Sequence, residues 1–311
     1  MEASRRFYEK EVKRLIKEQF GAYEDRIAVG IAGEGSDCFG YDDLMSRDHD
    51  FGTGVCLWVT SEDMNRFGRQ LSIAYHELID RMPGNNLSER LLARRGVMTV
   101  NDFYSNILGI RCEAEQGTLS EAQWLSLDHS CLATAVNGEV FRDDLGLFTA
   151  FRNYLLDYYP ERVFRIRMAE KLHQYAAAMQ VNYARCMTRR DLVAARQCQA
   201  QGVEAAMELF FLLARKYPPY YKWTYRRLCE LDEGGQFARL VKALSEARCD
   251  EALWKDAWES VPYRPNVLNL KDPAVGIAEQ LAGLVVTWMR REGLTQGADP
   301  YLERYVDELG V

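Results

Sequence analysis

Two short apolar runs bounded by glycine enclose a polar, acidic segment near the start of the chain. Residues 27–33 read IAVGIAG, and residues 51–59 read FGTGVCLWV. Runs this short and this apolar are typical of buried strands. The two predicted strands and the polar segment between them therefore make one continuous candidate site.

The polar segment carries groups suited to a phosphate and a metal ion. Gly35 lets the backbone approach a phosphate closely, and the Ser36 hydroxyl with neighbouring N–H groups can donate to phosphate oxygens. In an extended segment Asp48 and Asp50 point the same way, while His49 points to the opposite face. Two carboxylates on one edge make a hard oxygen site suited to Mg²⁺. A pair of such ions can hold an attacking hydroxyl and a leaving pyrophosphate in line.

The spacing of these residues resembles a known sequence signature. Eleven residues separate Ser36 from Asp48, and the pattern resembles the Gly-Ser, spacer, Asp-x-Asp signature of the nucleotidyltransferase superfamily, which includes DNA polymerase beta and the aminoglycoside nucleotidyltransferases. The chain is also similar to a bacterial family catalogued as domain of unknown function 4037. The segments that carry this second similarity are GEGSDCFGYDD, SRDHDFG, NGEVFRDD, YYPERVF and YPPYYKW.

The chain departs from the superfamily pattern in two ways. Arg47 stands directly before Asp48, where the commonest form of the signature has Ser. The resemblance also implies a third carboxylate on a later strand, yet the predicted strand at residues 96–100, GVMTV, contains none. Asp102 and Glu139 are both candidates for this carboxylate. If neither reaches the metals, the chain binds nucleotide without turning it over.

Two cations are candidates for steadying the triphosphate. Arg47 adjoins the acidic strand, and Lys222 follows Pro218-Pro219, a pair that stiffens the backbone before it. The alternative for Arg47 is an exposed ion pair. The alternative for Lys222 is a solvated ammonium whose stem lies over Trp223. The sequence leaves both choices open, as it leaves open a plain polar loop between two strands for the whole motif.

The pattern along the chain predicts an α+β fold in two domains. Residues 1–150 alternate helical and strand patterns, which indicates a small mixed-sheet unit that the resemblance makes a nucleotidyltransferase-like catalytic domain. Residues 151–311 lack an alternating strand pattern and form a predicted helical bundle, for which the resemblance implies an acceptor-binding role. The predicted helices of this half cover about 161–182, 189–216, 223–231, 235–247, 251–259 and 273–292.

Composition and motifs exclude several other classes of protein. A formal net charge of −7 disfavours a surface that covers long nucleic acid, and no apolar run reaches membrane-spanning length. The charged start lacks signal-peptide character, and eight cysteines without a CxxC pair indicate reduced thiols, so we expect a cytoplasmic protein. An EF-hand fails because Val59 stands where its last ligand, a Glu, is required. The P-loop sequence is absent, and the histidines lack zinc spacing.

These observations predict an enzyme that moves a nucleoside monophosphate from an NTP to an acceptor hydroxyl and releases pyrophosphate. We expect two Mg²⁺ ions, with ATP the favoured nucleotide, and a small-molecule, protein or tRNA acceptor that the sequence does not identify. The alternative is a catalytically weak or inactive nucleotide-binding regulatory module of the same fold.

Overall fold

The computed structural model describes residues 1–43, 53–82, 94–115, 117–254 and 269–310. The chain divides into two compact units, Met1–Tyr158 and Tyr159–Val311. Each unit has its own core of buried apolar side chains. A helix at Leu147–Leu156 runs across position 150, so the first unit extends to Tyr158.

The first unit is built on a four-stranded mixed sheet. The strands are β1 (Ala28–Ile31), β2 (Cys56–Val59), β3 (Gly96–Thr99) and β4 (Glu139–Arg142), and their order in the sheet is β3-β2-β1-β4. Strand β1 pairs antiparallel with both β2 and β4, whereas β2 and β3 are parallel. Parallel neighbours need a crossover between them, and a helix at Arg69–Asp80 lies in that connection.

Helices of the first unit precede, connect and follow these strands. The first is a continuous helical segment made of α1 (Glu2–Phe7), a π-helical turn (Tyr8–Val12) and α2 (Lys13–Gln19), followed by a 3₁₀ segment (Gly21–Arg26). The others are α3 (Ser36–Phe39), α4 (Ser61–Asp63) with a π-helical turn (Met64–Gly68) and α5 (Arg69–Asp80), then α6 (Val100–Leu108), α7 (Glu121–Ser126), α8 (His129–Ala135) and α9 (Leu147–Leu156).

Apolar residues cover both faces of the sheet. On one face, Val29 and Leu57 belong to a cluster with residues of the N-terminal helix such as Val12 and with Leu71 of α5. On the other face, the Trp58 ring stacks on Phe148 with ring centroids 3.7 Å apart. Successive strand residues point to opposite faces, so this double covering explains why β1 and β2 are apolar at every position.

The regular elements in the described residues of the second unit are all helical. Its first helical segment consists of α10 (Glu161–Tyr175), a π-helical segment (Ala176–Asn182) and α11 (Tyr183–Thr188). The segments that follow are α12 (Leu192–Leu213), α13 (Tyr221–Leu231), α14 (Gln236–Glu246), a 3₁₀ turn (Glu251–Trp254), α15 (Pro273–Arg291) and two short 3₁₀ turns (Leu302–Tyr305 and Asp307–Leu309).

A buried carboxylate anchors the start of α15. Asp272 is fully buried, and its Oδ1 accepts the backbone N–H of Ala274 at 2.8 Å, which caps the helix. Its Oδ2 accepts the Trp254 Nε1–H at 2.8 Å and the Tyr183 hydroxyl at 3.1 Å. Three hydrogen-bond donors therefore satisfy a charge that burial would otherwise make costly.

The α+β fold class expected from the sequence is confirmed, with two local differences. Residues 137–146, NGEVFRDDLG, are rich in turn-forming residues, yet Glu139–Arg142 form strand β4 because their backbone groups pair with β1. Residues 120–134 carry a helical pattern, yet they form two helices, since Asp128 starts a new helix by accepting the N–H of Ser130 at 2.7 Å. Within the described part of the chain, no helix combines the length and apolar character needed to cross a membrane.

Candidate functional site

The strand directions bring four chain segments to one edge of the sheet, by which we mean a side where strand ends meet and not an outer strand. Gly30 pairs with Cys56, Cys56 pairs with Gly96, and Ile31 pairs with Glu139. The end of β1 therefore lies beside the starts of β2, β3 and β4. The segment that follows β1 contains Gly35 and Ser36. We name residues Ala32 to Cys38 the β1 turn.

The β1 turn has a backbone shape that glycine is needed to adopt. Gly33 and Gly35 have φ of +101° and +124°, a region that other residues rarely occupy. A Cβ added at Gly35 would lie 2.4 Å from Asp37 Oδ1, closer than atoms can approach. The turn then enters α3, which ends at Gly40 with a left-handed φ of +72°.

Asp42 holds the hydroxyl of the predicted phosphate ligand Ser36. The Ser36 Oγ–H donates to Asp42 Oδ1 at 2.9 Å, and the backbone N–H of Tyr41 donates to the Ser36 carbonyl at 2.9 Å. Ser36 is half-buried, and both Gly35 and Asp42 are exposed. The hydroxyl must therefore turn away from Asp42 before it can donate to a ligand.

A buried arginine ties together the two arms of the β1 turn. Arg95 directly precedes β3, and only 2% of its surface is exposed. Its Nη1 donates to the Ala32 carbonyl at 3.1 Å, and its Nη2 donates to Asp37 Oδ2 at 3.1 Å and to Cys38 Sγ at 3.1 Å. The neighbouring Arg94 forms an ion pair with Glu34. Two of the turn's carboxylates are thus matched by two successive arginines.

An asparagine side chain holds the same turn through Gly33. The Asn137 Nδ2–H donates to the Gly33 carbonyl at 2.8 Å, and the Gly33 N–H donates to Asn137 Oδ1 at 2.8 Å. The next residue, Gly138, donates its N–H to the Cys38 carbonyl at 2.9 Å. A Cβ at Gly138 would lie 1.9 Å from the Ile31 carbonyl oxygen, so this close approach requires glycine.

Two buried thiols lie against the Arg95 guanidinium. Cys38 and Cys56 are both buried, and burial raises the pKa of each thiol although the nearby guanidinium opposes this. Both thiols are therefore protonated at neutral pH. Burial acts to lower the pKa of Arg95, but its surroundings, which include the Asp37 carboxylate, more than offset this, so the pKa is raised and the group remains charged.

The two candidates for the third carboxylate lie at opposite edges of the sheet. Glu139 begins β4 beside Ile31, at the edge of the β1 turn, and forms an ion pair with Arg5. Asp102 lies in the first turn of α6, after the far end of β3, where its N–H donates to Thr99 Oγ1 at 2.9 Å. Because β3 runs antiparallel to β1, the structure separates Asp102 from Gly35 and Ser36 by the length of a strand.

The remaining predicted site residues fall in other parts of the chain. Arg47, Asp48 and Asp50 lie outside the described residues. Lys222 is exposed in the first turn of α13, in the second compact unit. The described residues thus bring together Gly35, Ser36 and Glu139 from the predicted set.

The described carboxylates near the β1 turn already accept hydrogen bonds from other side chains. Within the described ranges, no group of three His, Cys, Asp or Glu side chains is placed to hold a metal ion. Asp37 accepts from Arg95, and Asp42 accepts from Ser36. The predicted metal ligands Asp48 and Asp50 lie outside the residues among which this absence holds.

Sequence reasoning missed the side chains that shape the β1 turn. Arg95 and Asn137 lie 63 and 104 positions from the backbone atoms that they bind. A contact of this length leaves no periodic pattern or local spacing in a single sequence. The signal that was present is an arginine pair directly before an apolar strand, since a charge next to a buried segment is either exposed or paired.

Comparisons with known proteins give one partial match. A family model described as "Domain of unknown function (DUF4037)" matches residues 124–224, from α7 through β4 and α9 into the second unit as far as α13. This range contains three of the segments that carried the similarity to that family, NGEVFRDD, YYPERVF and YPPYYKW. A search of curated proteins and a search of solved structures each found no match.

Proposed function

We propose that the chain is a magnesium-dependent nucleotidyltransferase, which moves a nucleoside monophosphate from an NTP to an acceptor hydroxyl. The observation that carries the proposal is the shared sheet edge. The β1 turn with Gly35 and Ser36 lies beside the start of β2, and Asp48-x-Asp50 precedes that strand by six to eight positions in the sequence. Phosphate donors and metal-binding carboxylates are thus supplied by chain segments that lead to one edge.

In this proposal the residues of the turn bind and orient the triphosphate. The Ser36 hydroxyl leaves Asp42 and donates to a β- or γ-phosphate oxygen, and Gly35 lets that phosphate approach the backbone. Asp48 and Asp50 would hold Mg²⁺, which when bound would neutralise phosphate charge. The acceptor oxygen forms a bond to the α-phosphorus, the bond to the pyrophosphate oxygen breaks, and the hydroxyl proton passes to a base or to solvent. Most of the rate enhancement comes from positioning and charge neutralisation.

A nucleotide-binding regulatory module is the second candidate, and one observation favours it. Strand β3 has no carboxylate, Asp102 lies at the opposite edge, and the Glu139 carboxylate is paired with Arg5. In this candidate Asp48 and Asp50 bind a metal-nucleotide complex, and neither Asp102 nor Glu139 completes the metal site or accepts the proton. Arg47 remains the proposed triphosphate cation in either case, and ATP remains the favoured nucleotide.

Calorimetric titration of each of the four NTPs, with and without Mg²⁺, tests the site that both candidates share. We expect Mg²⁺-dependent binding that the D48N/D50N double variant loses, because Asn keeps the size of Asp but removes the charge that holds the metal. A D25N/E62Q double variant is the matched control, since it also removes two exposed carboxylate charges from the first unit, but before β1 and after β2, at the edge away from the β1 turn. Absence of binding by the intact protein to all four NTPs contradicts both candidates.

Pyrophosphate release separates the two candidates once binding is established. The assay offers hydroxyl-bearing small molecules, protein and tRNA as acceptors in turn. Mg²⁺-dependent release that is lost in D48N and in D50N supports the enzyme. Nucleotide binding with no release from any acceptor class supports the regulatory module.

A further inference from the structure

We infer that Arg95 is a positioning residue that holds the β1 turn in its phosphate-accepting shape and cancels the charge of Asp37. This inference deepens the proposed function, because it concerns the same site and a triphosphate ligand. Its evidence is the set of contacts that one buried guanidinium makes with both arms of the turn.

The contacts of Arg95 connect the two ends of the β1 turn. Nη1 binds the carbonyl of Ala32, where β1 ends, and Nη2 binds the Asp37 carboxylate at 3.1 and 3.2 Å in α3. Between these two anchors lie Gly33 and Gly35, which have no side chain to stiffen them. A guanidinium presents several N–H donors in a fixed plane, so it can bind two partners at a set distance, whereas an ammonium is a single point charge.

Arg95 is buried, so its charge has been removed from water. Only 2% of the residue is exposed, and the Asp37 side chain is 26% exposed. Removing a charge from water carries a large free-energy cost unless a partner and hydrogen bonds compensate for it. Ala32, whose carbonyl accepts from Arg95, is only 1% exposed, so the guanidinium supplies a donor where solvent has little access.

The same contacts reduce the negative charge that a triphosphate would meet. The β1 turn carries Glu34 and Asp37 next to Gly35 and Ser36, and unpaired carboxylates there would repel phosphate. Arg94 pairs with Glu34, and Arg95 pairs with Asp37. The turn therefore has no net charge from these four groups, although its sequence is acidic.

The test compares R95K and R95M with R142K, a matched control. Arg142 is a half-buried arginine of strand β4 that, like Arg95, binds two partners: it forms ion pairs with Glu24 at 2.6 Å and Asp144 at 2.5 Å. Its backbone lies opposite Val29, at the edge of the sheet away from the turn. We expect R95K to weaken binding of the Mg²⁺-nucleotide complex tenfold or more, because Lys keeps the charge but cannot bridge Ala32 and Asp37. R95M should weaken it further, and R142K should bind like the original protein.

A double variant separates the two roles. In R95M/D37N the charge of the turn is again balanced, but the bridge between its arms is absent. We expect this variant to recover part of the affinity lost in R95M and to remain below the original protein. Full recovery would reduce the role of Arg95 to charge alone and overturn the positioning inference.

Amide hydrogen exchange across residues 33–41 gives a readout that needs no nucleotide. We expect faster exchange in R95K than in the original protein, and no change in R142K. Exchange and nucleotide affinity in R95K equal to those of the original protein overturn the inference. If the original protein binds no NTP, the proposed function fails, and the exchange comparison alone still decides whether Arg95 holds the turn.

Discussion

The conformation of single residues determines what the β1 turn can do. Gly35 has a φ of +124°, and its absent Cβ leaves room for Asp37 Oδ1, which is held by Arg95. Ser36 presents its hydroxyl to Asp42 at the same surface. A methyl group added at Gly35 is therefore expected to disturb the contacts of Asp37 and Ser36.

We expect G35A to destabilise the protein by about 1–3 kcal/mol, because Ala is strained at this φ and its Cβ would displace Asp37. Nucleotide affinity should fall at least tenfold. G40A is the matched control, since Gly40 has a φ of +72° with no atom within 4 Å of an added Cβ. Urea unfolding and nucleotide titration check both effects. Equal losses in the two variants would show that backbone strain alone matters.

A buried thiol in the first unit makes stability depend on pH. Cys112 is 4% exposed, and burial raises the pKa of its thiol from the ordinary value of 9.0 to about 11. The unfolded thiol ionises first, so its contribution to folding is complete below pH 9 and is lost as the pH rises to about 11. The C112A variant has no thiol at this position. Its unfolding free energy should fall less than that of the original protein between pH 8 and 10.5, as measured by urea unfolding. Parallel pH profiles would contradict the assignment.

At the scale of elements, strand direction decides which residues share a site. The antiparallel β1–β2 pair and the parallel β2–β3 pair place the end of β1 beside the start of β3. A residue that follows β3 consequently lies at the far edge. Glu139 lies at the near edge only because β4 joins β1 antiparallel.

The edge positions predict different results for D102N and E139Q. Asp102 is exposed in the first turn of α6, so D102N should cost at most about 1 kcal/mol of stability, through the helix dipole, and leave nucleotide binding and turnover unchanged. If Glu139 completes the site, E139Q should lower pyrophosphate release by about 100-fold or more while binding persists. Loss of release in D102N with normal release in E139Q would overturn the edge assignment.

At the scale of the whole molecule, the chain consists of two units with different architectures. The first is a sheet covered on both faces, and in the described residues of the second the core is made by helices. Asp272 connects three parts of the second unit, since it caps α15 and accepts from Tyr183 and Trp254. Its removal should affect that unit through a known set of broken hydrogen bonds.

We expect D272A to destabilise the second unit by about 2–5 kcal/mol, because it removes a helix cap, takes the Asp272 acceptor from the Trp254 N–H, and leaves the Tyr183 hydroxyl with only its long contact to Cys249 Sγ at 3.8 Å. D272N should cost less, since its amide oxygen can still accept the Ala274 N–H. Hydrogen exchange should show the loss of protection at the start of α15 and around Trp254. Unchanged protection in D272A would contradict this role for the carboxylate.

The local patterns of the sequence were sufficient for most of the described elements and insufficient for the contacts between them. Short apolar runs predicted β1, β2 and β3, and helical periodicity predicted the long helices of the second half, because both signals arise from neighbouring residues. Of the predicted helix at 251–259, residues 251–254 form a 3₁₀ turn and the rest lie outside the described residues. Strand β4 has half-buried residues throughout and no such pattern, and its pairing with β1 comes from more than 100 positions away. It was therefore missed.

The sequence by itself determined the α+β class, the apolar strands and the presence of a Gly-Ser turn after the first of them. Only the tertiary structure decided that Arg95 and Asn137 hold this turn, and that Glu139 and Asp102 lie at opposite edges. The physical reason is that element formation depends on burial and backbone preferences within a few residues. A site, in contrast, depends on strand order and direction, which long-range pairing sets and a single sequence does not encode locally.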